Sequence, residues 1–360
     1  MKRIVICADG TWNQPERVKK TTGRFQPTNV LKTARGVLPR DSTGDIDIEQ
    51  VVYYHPGVGT GWGADRITGG MFGHGLLRNV RSLYRFIVLN YMPGDEIYLF
   101  GFSRGAFTVR VLTGFMKCVG LVRKDDEYYT PQLFTLYEKG VKPGSPEWEE
   151  AHQRIEGVRP CPPIKFVGVW DTVGAMGAPG LMGQVFNRGA YKHLNVGLID
   201  DVENVAHACS IDEHRGPFAL TPFAPAPAGW SGELHEAWFA GPHGDVGGGY
   251  SPDSSANIAM HWVLEHAGNC GLKCDYEDYL AHYKCYSKSS GRWYQQQLND
   301  SMSFLFRLRQ RQRDLSITGL PVKLHDSVLE RIRDKNHLPD NLKAVYANGQ
   351  YEEVTTQRKL

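Results

Sequence analysis

Residues 98–107 read YLFGFSRGAF, an apolar run that ends on a serine framed by two glycines. The spacing GxSxG is that of a nucleophile elbow, where a strand turns so tightly into a helix that the flanking positions admit only glycine. The chain carries 40 glycines in 360 residues. A random shuffle of such a composition would contain the five-residue pattern about 0.2 times, so the meaning of Ser103 rests on its surroundings.

The stretch DEIYLFGFS before the serine reads as a buried strand, and AFTVRVLTGFMKCVGLV after it as a helix. Upstream, RIVICA (3–8) predicts a strand ending in the turn DGTWN, and PTNVLKTARGVL places Val30, Leu31, Ala34 and Leu38 at helical spacing. EQVVYYHPGVGTG predicts a strand running into a glycine loop. A long helix follows, with Leu76, Val80, Leu83, Tyr84, Ile87, Val88 and Tyr91 on one face, stopped by Pro93 and Gly94. Three consecutive strand-then-helix units imply a parallel sheet with right-handed crossovers. PPIKFVGVWDTVGA adds a strand ending at Asp171, and GELHEAWFAGPHGDVGGGY another ending near Ala240, with a Ser-capped helix behind it. VENVAHACSIDEHRGPF (202–218) reads as helical, the basic run RLRQRQR (307–313) as a solvated face, and the last forty residues as peripheral strands and turns. The expectation is one α/β domain over 1–360, with 172–200 and 271–320 as cap or insertion segments above Ser103.

In a parallel α/β sheet, functional groups collect at the carboxyl ends of the strands. The expected strand ends are Asp9 to Thr11, His55 to Gly61, Ser103, Asp171 and Pro242 to Asp245. A serine, an aspartate and a histidine thus fall on one edge, in the order Ser103, Asp171, His243 of α/β-hydrolases. In that chemistry His243 takes the Ser103 proton and returns it to the leaving group, while Asp171 fixes the imidazole tautomer. Oxyanion donors are expected from the Arg104 amide and from the loop after the first strand, through the amides of Gly10 and Thr11. Trp12, His55 and Gly57 then border the substrate pocket. Each role has a plainer rival. Ser103 could occupy an ordinary turn, Asp171 could cap a helix, and Asp200, Asp201, Asp212 and Asp245 are reserve carboxylates. Asp245 is expected to organise its loop, and His207, His214 and His235 compete with His243. Asp9 ends a phosphatase-like DGT, but Cys7 stands where that motif needs its attacking carboxylate.

Hydrophobic residues make up 41% of the chain and the formal net charge is +2, which speaks against a nucleic-acid partner held by bulk electrostatics. The N-terminal apolar run is too short for a signal peptide and no stretch reaches the roughly 20 apolar residues of a membrane helix, so a cytoplasmic, soluble chain is expected. Seven scattered cysteines read as reduced thiols rather than a disulfide framework. Cys270, Cys274, His282 and Cys285 could close a zinc site, though the paired CxxC knuckle is missing and buried thiols are the plainer account. No cofactor and no metal is expected.

Beyond the elbow, ADGTWN (8–13), YHPGVGTG (54–61), GFSRGAFTVR (101–110), GVWDTVGA (168–175), DEHR (212–215) and WFAGPHGDVGGGY (238–250) resemble the signature blocks of the DUF2235 α/β-hydrolase family. That family includes the catalytic domains of Tle1-type phospholipase effectors of type VI secretion. The resemblance covers roughly residues 1–265. It implies an α/β-hydrolase fold, a triad carried here by Ser103, Asp171 and His243, and ester hydrolysis of lipase, esterase or phospholipase A type through an acyl-enzyme. It also implies a lipid or other ester substrate, transient membrane-surface contact and the option of export by a dedicated secretion system. A thioesterase or acyltransferase with the same triad, and a non-catalytic lipid-binding or assembly component, are the alternative readings.

Overall fold

The computed structural model describes residues 1–10, 23, 25–44, 46–57, 69–174, 194, 196–223, 226–283, 297–301, 311–335 and 338–357, with the side chains of 69–74 left aside. Its strands are β1 (Lys2–Ala8), β2 (Arg40–Asp41), β3 (Ile48–His55), β4 (Glu96–Phe102), β5 (Leu121–Val122), β6 (Val158–Arg159), β7 (Ile164–Trp170), β8 (Asn204–Ser210), β9 (Glu233–Phe239), β10 (Lys323–His325) and β11 (Glu352–Val354). The helices that matter below are α1 (Asn29–Gly36), α2 (Gly69–Asn90), α3 (Arg104–Val119), α4 (Thr130–Lys139), α5 (Pro146–His152), α6 (His243–Gly247), α7 (Ser254–Asn269) and α8 (Asp326–Lys335).

Among the described residues, nine strands form one sheet in the order β2-β3-β1-β4-β7-β8-β9-β10-β11. Every neighbouring pair is parallel except the edge pair β2–β3. The order reverses at β1, whose neighbours are β3 and β4, so the crevice beside β1 and β4 is the topological switch point where such sheets place their sites. β5 and β6 pair separately.

The central strands form because both of their faces can be buried. In β4, Ile97 and Leu99 enter the core under α2, α3 and α4, while Tyr98, Phe100 and Phe102 enter the opposite core with residues of α1 and α7. The period of two thus serves two apolar layers, as in a sheet covered on both faces. β1 splits the same way, with Ile4, Ile6 and Ala8 on one side and Val5 and Cys7 on the other. A third cluster, with Trp238, Leu324, Val328 and Leu329, seats α8 at the far end of the sheet.

One expected helix is a strand. Residues 204–210 form β8, inserted between β7 and β9. Ala206, His207, Ala208 and Cys209 are each fully buried, and burial on both faces removes the polar alternation that would have marked a strand. Alanine-rich composition then mimics a helix, and tertiary context overrides propensity. The cap expectation fares unevenly. Residues 175–193, 195, 284–296 and 302–310 lie outside the described residues, whereas 271–275 pack near the amino ends of β1 and β4: Leu38 N donates to Lys273 O at 3.0 Å and Tyr98 Oη to Cys270 O at 2.6 Å. That is the edge opposite Ser103.

Candidate active site

Ser103 occupies the turn between β4 and α3 with φ 59° and ψ −122°. Positive φ on a non-glycine residue is uncommon and costs backbone strain. Neighbours on both sides hold it there: Ser103 N donates to Trp170 O at 3.0 Å, and Ser103 O accepts from Val173 N at 3.3 Å and from Phe107 N at 3.2 Å. The flanking glycines are needed for close approach. A Cβ on Gly105 would lie 2.0 Å from Ala8 O, and one on Gly101 would lie 2.6 Å from the Ala106 backbone. Since these obstacles are backbone atoms, Gly105→Ala should cost about 3 kcal/mol or more of stability, read as a lower urea midpoint. A midpoint equal to that of the wild type would mean that β1 can yield and that the turn is not tightly specified.

Asp171 follows β7 and is also held at positive φ, 42°. It is fully buried. Its Oδ2 meets His243 Nδ1 at 2.5 Å, and its Oδ1 accepts the Ser210 amide at 2.9 Å. Beneath it, His207 Nε2 accepts the Thr172 amide at 3.3 Å while Nδ1 donates to Glu236 at 2.8 Å. His207, Cys209 and Glu236 lie close enough together to suggest a metal set. With both imidazole nitrogens engaged, the group acts as a strut that fixes the Thr172 backbone.

His243 opens α6, one short turn strapped to α1 by Asn29, whose Nδ2 donates to Val246 O and Ala256 O at 2.8 Å each. The helix sits directly on the residue before Ser103. Phe102 packs against the imidazole, tilted by 33°, at 4.5 Å between ring centroids, and a Cβ on Gly247 would fall 1.9 Å from the Phe102 ring. Phe218 meets the other side of the imidazole edge-on at 5.1 Å. Burial lowers the His243 pKa, Asp171 and Glu213 oppose that, and the net position lies below the ordinary imidazole value.

Two charged groups missing from the sequence reading close around this pair. Glu213 Oε2 accepts the His243 amide at 3.2 Å and is clamped by Arg215 at 2.7 Å. Burial alone would raise the Glu213 pKa, but Arg215 brings it below the usual carboxyl value. In the sequence, DEHR (212–215) stands out only as a block, with no role for its members. The larger miss is Arg313. Expected on a solvated face, it is 7% exposed and forks onto both oxygens of Asp171, through Nη1 to Oδ1 and through Nη2 to Oδ2 at 2.9 Å. Nothing local in RLRQRQR distinguishes this arginine, because its partner lies 142 residues away. Against a burial effect of opposite sign, Arg313 and His243 hold the Asp171 carboxyl well below its usual range.

Of the other expected residues, Gly10 has its amide committed to Asp9 Oδ1 at 2.7 Å, which removes it as an oxyanion donor in this arrangement. Asp9 itself also accepts from Thr28 Oγ1 and Tyr54 Oη at 2.5 and 2.9 Å and so ties β1 to its neighbours. Arg104 starts α3, where helix geometry gives amides no intrahelical acceptor. His55 ends β3, its Nδ1 2.7 Å from Pro56 O, and Gly57 is buried on the same edge. Thr11 and Trp12 lie outside the described residues. Asp245 accepts the Asn299 amide at 2.8 Å and its side-chain nitrogen at 2.6 Å, and burial raises its pKa to about 6. These partners come from residue 299 and not from the HGDVGG loop, so Asp245 ties α6 to the segment 297–301. Asp212 binds the Gly241 amide at 2.6 Å, and Asp200 and Asp201 pair with Lys117. Of the zinc candidates, His282 is 75% exposed at its side chain, Cys274 is buried and Cys270 half-buried, and Cys285 lies outside the described residues.

A small cleft of about 110 Å³ opens beside Phe218, lined by Glu213, Arg215, Leu220, Arg313 and Ile317. It offers guanidinium groups along with apolar surface.

A family model described as the catalytic domain of Tle1-like type VI secretion phospholipase effectors matches residues 2–266. The uncharacterized protein YEL023C of Saccharomyces cerevisiae is 32% identical over 251 residues, covering 63% of this chain and 33% of its own. An uncharacterized Pseudomonas aeruginosa protein of known structure is 16% identical, with a TM-score of 0.47, over 78% of this chain and 48% of that one. The Tle1 effector solved bound to the VgrG spike of the type VI secretion system is 18% identical, with a TM-score of 0.40, over 69% of this chain and 51% of that one. The chain therefore spans a third to a half of the length of these relatives.

Proposed function

The chain belongs to the family of Tle1-like type VI secretion phospholipase effector catalytic domains, and from that premise we propose that it is a serine hydrolase cleaving the carboxylic ester of a lipid, a glycerophospholipid foremost, through an acyl-enzyme. The observation that carries the reading is the buried His243–Asp171 hydrogen bond of 2.5 Å on the strand edge where Ser103 sits in a strained turn. In the proposed reaction His243 Nε2 takes the Ser103 proton as Oγ attacks the ester carbonyl, and Asp171 stabilises the imidazolium. His243 then passes the proton to the leaving alcohol, and water reverses the sequence to free the acid. The Arg104 amide is the proposed oxyanion donor.

The cleft beside Phe218 is lined by neither Ser103 nor His243 but adjoins the His243 ring through Phe218, and would take the flanking part of an amphiphilic ester, with Leu220 and Ile317 against apolar carbons and Arg311 toward an anionic head group. The described residues contain no helix long and apolar enough to cross a membrane, so access to lipid would be from the surface. Residues 311–314 and Ile317, which line the cleft, are proposed to border the substrate entrance.

The test is incubation of the purified chain with a panel of glycerophospholipids and mass-spectrometric product identification. Release of fatty acid and lysolipid is expected; an unchanged panel together with inert p-nitrophenyl esters would overturn the reading. The pH profile adds a signed expectation. His243 must be neutral to accept the proton, and its pKa is lowered by burial. The acid limb of kcat/KM should therefore have its midpoint below the ordinary imidazole value of about 6.5. A midpoint above that value would contradict the assigned base.

A further inference from the structure

We infer that Arg313, supplied from beyond the segment shared with the family, is a positioning residue that fixes the Asp171 carboxylate toward His243 and ties it to the Phe218 wall of the cleft. The role of His243 and Asp171 in this inference rests on the proposed function. The geometry of the fork does not.

Both terminal nitrogens of the guanidinium are spent on the site. Nη1 donates to Asp171 Oδ1 and to Ser210 O at 2.9 Å, while Nη2 donates to Asp171 Oδ2 at 2.9 Å and to Phe218 O at 2.8 Å. Its Nε is buried and meets no acceptor among the described residues. A buried N–H left unsatisfied is costly, and a buried ion pair is a poor source of net stability. Holding one carboxylate in one orientation is the better explanation for this arrangement. Asp171 Oδ2 has to serve His243 Nδ1, and the fork leaves the carboxylate no freedom to rotate away. Through the Phe218 carbonyl the same guanidinium also sets the ring that packs edge-on against His243.

The residue lies at 313, and the family match ends at 266. The site of this chain is therefore completed by its own C-terminal region, and a fragment ending at the family boundary would lack the Asp171 clamp. Arg313 also partly offsets the Asp171 charge that the imidazolium would otherwise feel in full. The charged groups acting on His243 are Asp171 at the end of β7 and Glu213 and Arg215 after β8; Arg313 acts through Asp171, and Asp245 on the His243 helix is answered by Asn299, Arg331 and Asp212. Removing the Arg313 charge leaves Asp171 less compensated, which favours the imidazolium and raises the His243 pKa.

The experiment is the pH dependence of kcat and KM on a p-nitrophenyl ester for the full chain, Arg313→Gln and Arg313→Lys. For Arg313→Gln the expected result is a kcat lower by roughly 30- to 100-fold, a KM within about twofold, and an acid limb moved up by about one pH unit. Arg313→Lys keeps the charge but loses the fork. It should hold the acid limb in place and leave kcat about three- to tenfold below the wild type, with KM unchanged. A raised KM at constant kcat would make Arg313 a substrate-binding group and overturn the inference, as would an unmoved acid limb in Arg313→Gln. Should Arg313→Gln not fold, Arg313→Lys decides, since an unchanged kcat or a raised KM there is equally fatal. If the wild type cleaves no ester, the proposed function fails, but the His243 titration by NMR still reads the clamp. An imidazole titrating about one unit higher in Arg313→Gln supports it, and an identical titration refutes it.

Discussion

Ser103→Ala is expected to lower kcat/KM for ester hydrolysis on the order of 10⁴-fold or more, with folding intact. The size follows from the role: without the hydroxyl no acyl-enzyme forms, and what is left is the smaller acceleration from binding and the oxyanion donors. Intact folding follows from the structure. The turn is held through the backbone of Ser103, by its amide to Trp170 O and its carbonyl to Val173 N, and its side chain makes no capping bond to α3. Alanine keeps those contacts and the same strained φ. A circular-dichroism melt matching the wild type should accompany the loss of turnover. A variant retaining a tenth of the activity would move the nucleophile elsewhere.

Asp171→Asn is expected to fail in two ways at once. An amide at this position no longer holds the imidazole in the required tautomer or stabilises its charged form, a loss of about 10³- to 10⁴-fold in kcat. The same change leaves the Arg313 guanidinium buried without its counter-charge, which should cost about 3–5 kcal/mol of stability. The pH dependence has a definite sign. Because the Asp171 carboxyl is held well below its ordinary range, its contribution is complete above the unfolded carboxyl value of about 3.9 and fades as the solution is acidified through the folded value. The gap in urea midpoint between wild type and variant should therefore be widest near neutral pH and narrow in acid. Adding Arg313→Gln to Asp171→Asn should return much of the stability and none of the activity, and that double-mutant cycle separates the two effects. Recovery of activity in the double variant would show that Asp171 acts only as a partner for Arg313.

The legible part of the fold was the part governed by local rules. β1, β4 and β7 announced themselves as apolar runs punctuated by turn residues, and α2 as a long periodic face ending at Pro93. β8 did not, because a strand buried on both faces carries no alternation and its alanines favour helix in isolation. For the candidate site, the strand-end rule placed Ser103, Asp171 and His243 on one edge, since in a parallel sheet chain order and edge position are linked. Analogy with the loop after the corresponding strand gives Gly10 an oxyanion role, but the carboxylate of the preceding residue, Asp9, takes its amide. Arg313 lay beyond the reach of sequence, because a buried arginine and a solvated one read alike until the chain has brought residue 313 back to residue 171. Glu213 was visible within its block, and its function depended on a backbone amide of His243 that no side-chain pattern encodes.

The central claim is that Ser103 is the nucleophile of a covalent ester-cleaving cycle. Its most direct test is intact-mass and peptide-mapping spectrometry of the full chain after reaction with a fluorophosphonate. One adduct per chain, mapped to Ser103 and abolished by His243→Ala, is the expected result. A chain that stays unmodified, or an adduct that maps to another residue and survives Ser103→Ala, would contradict the account.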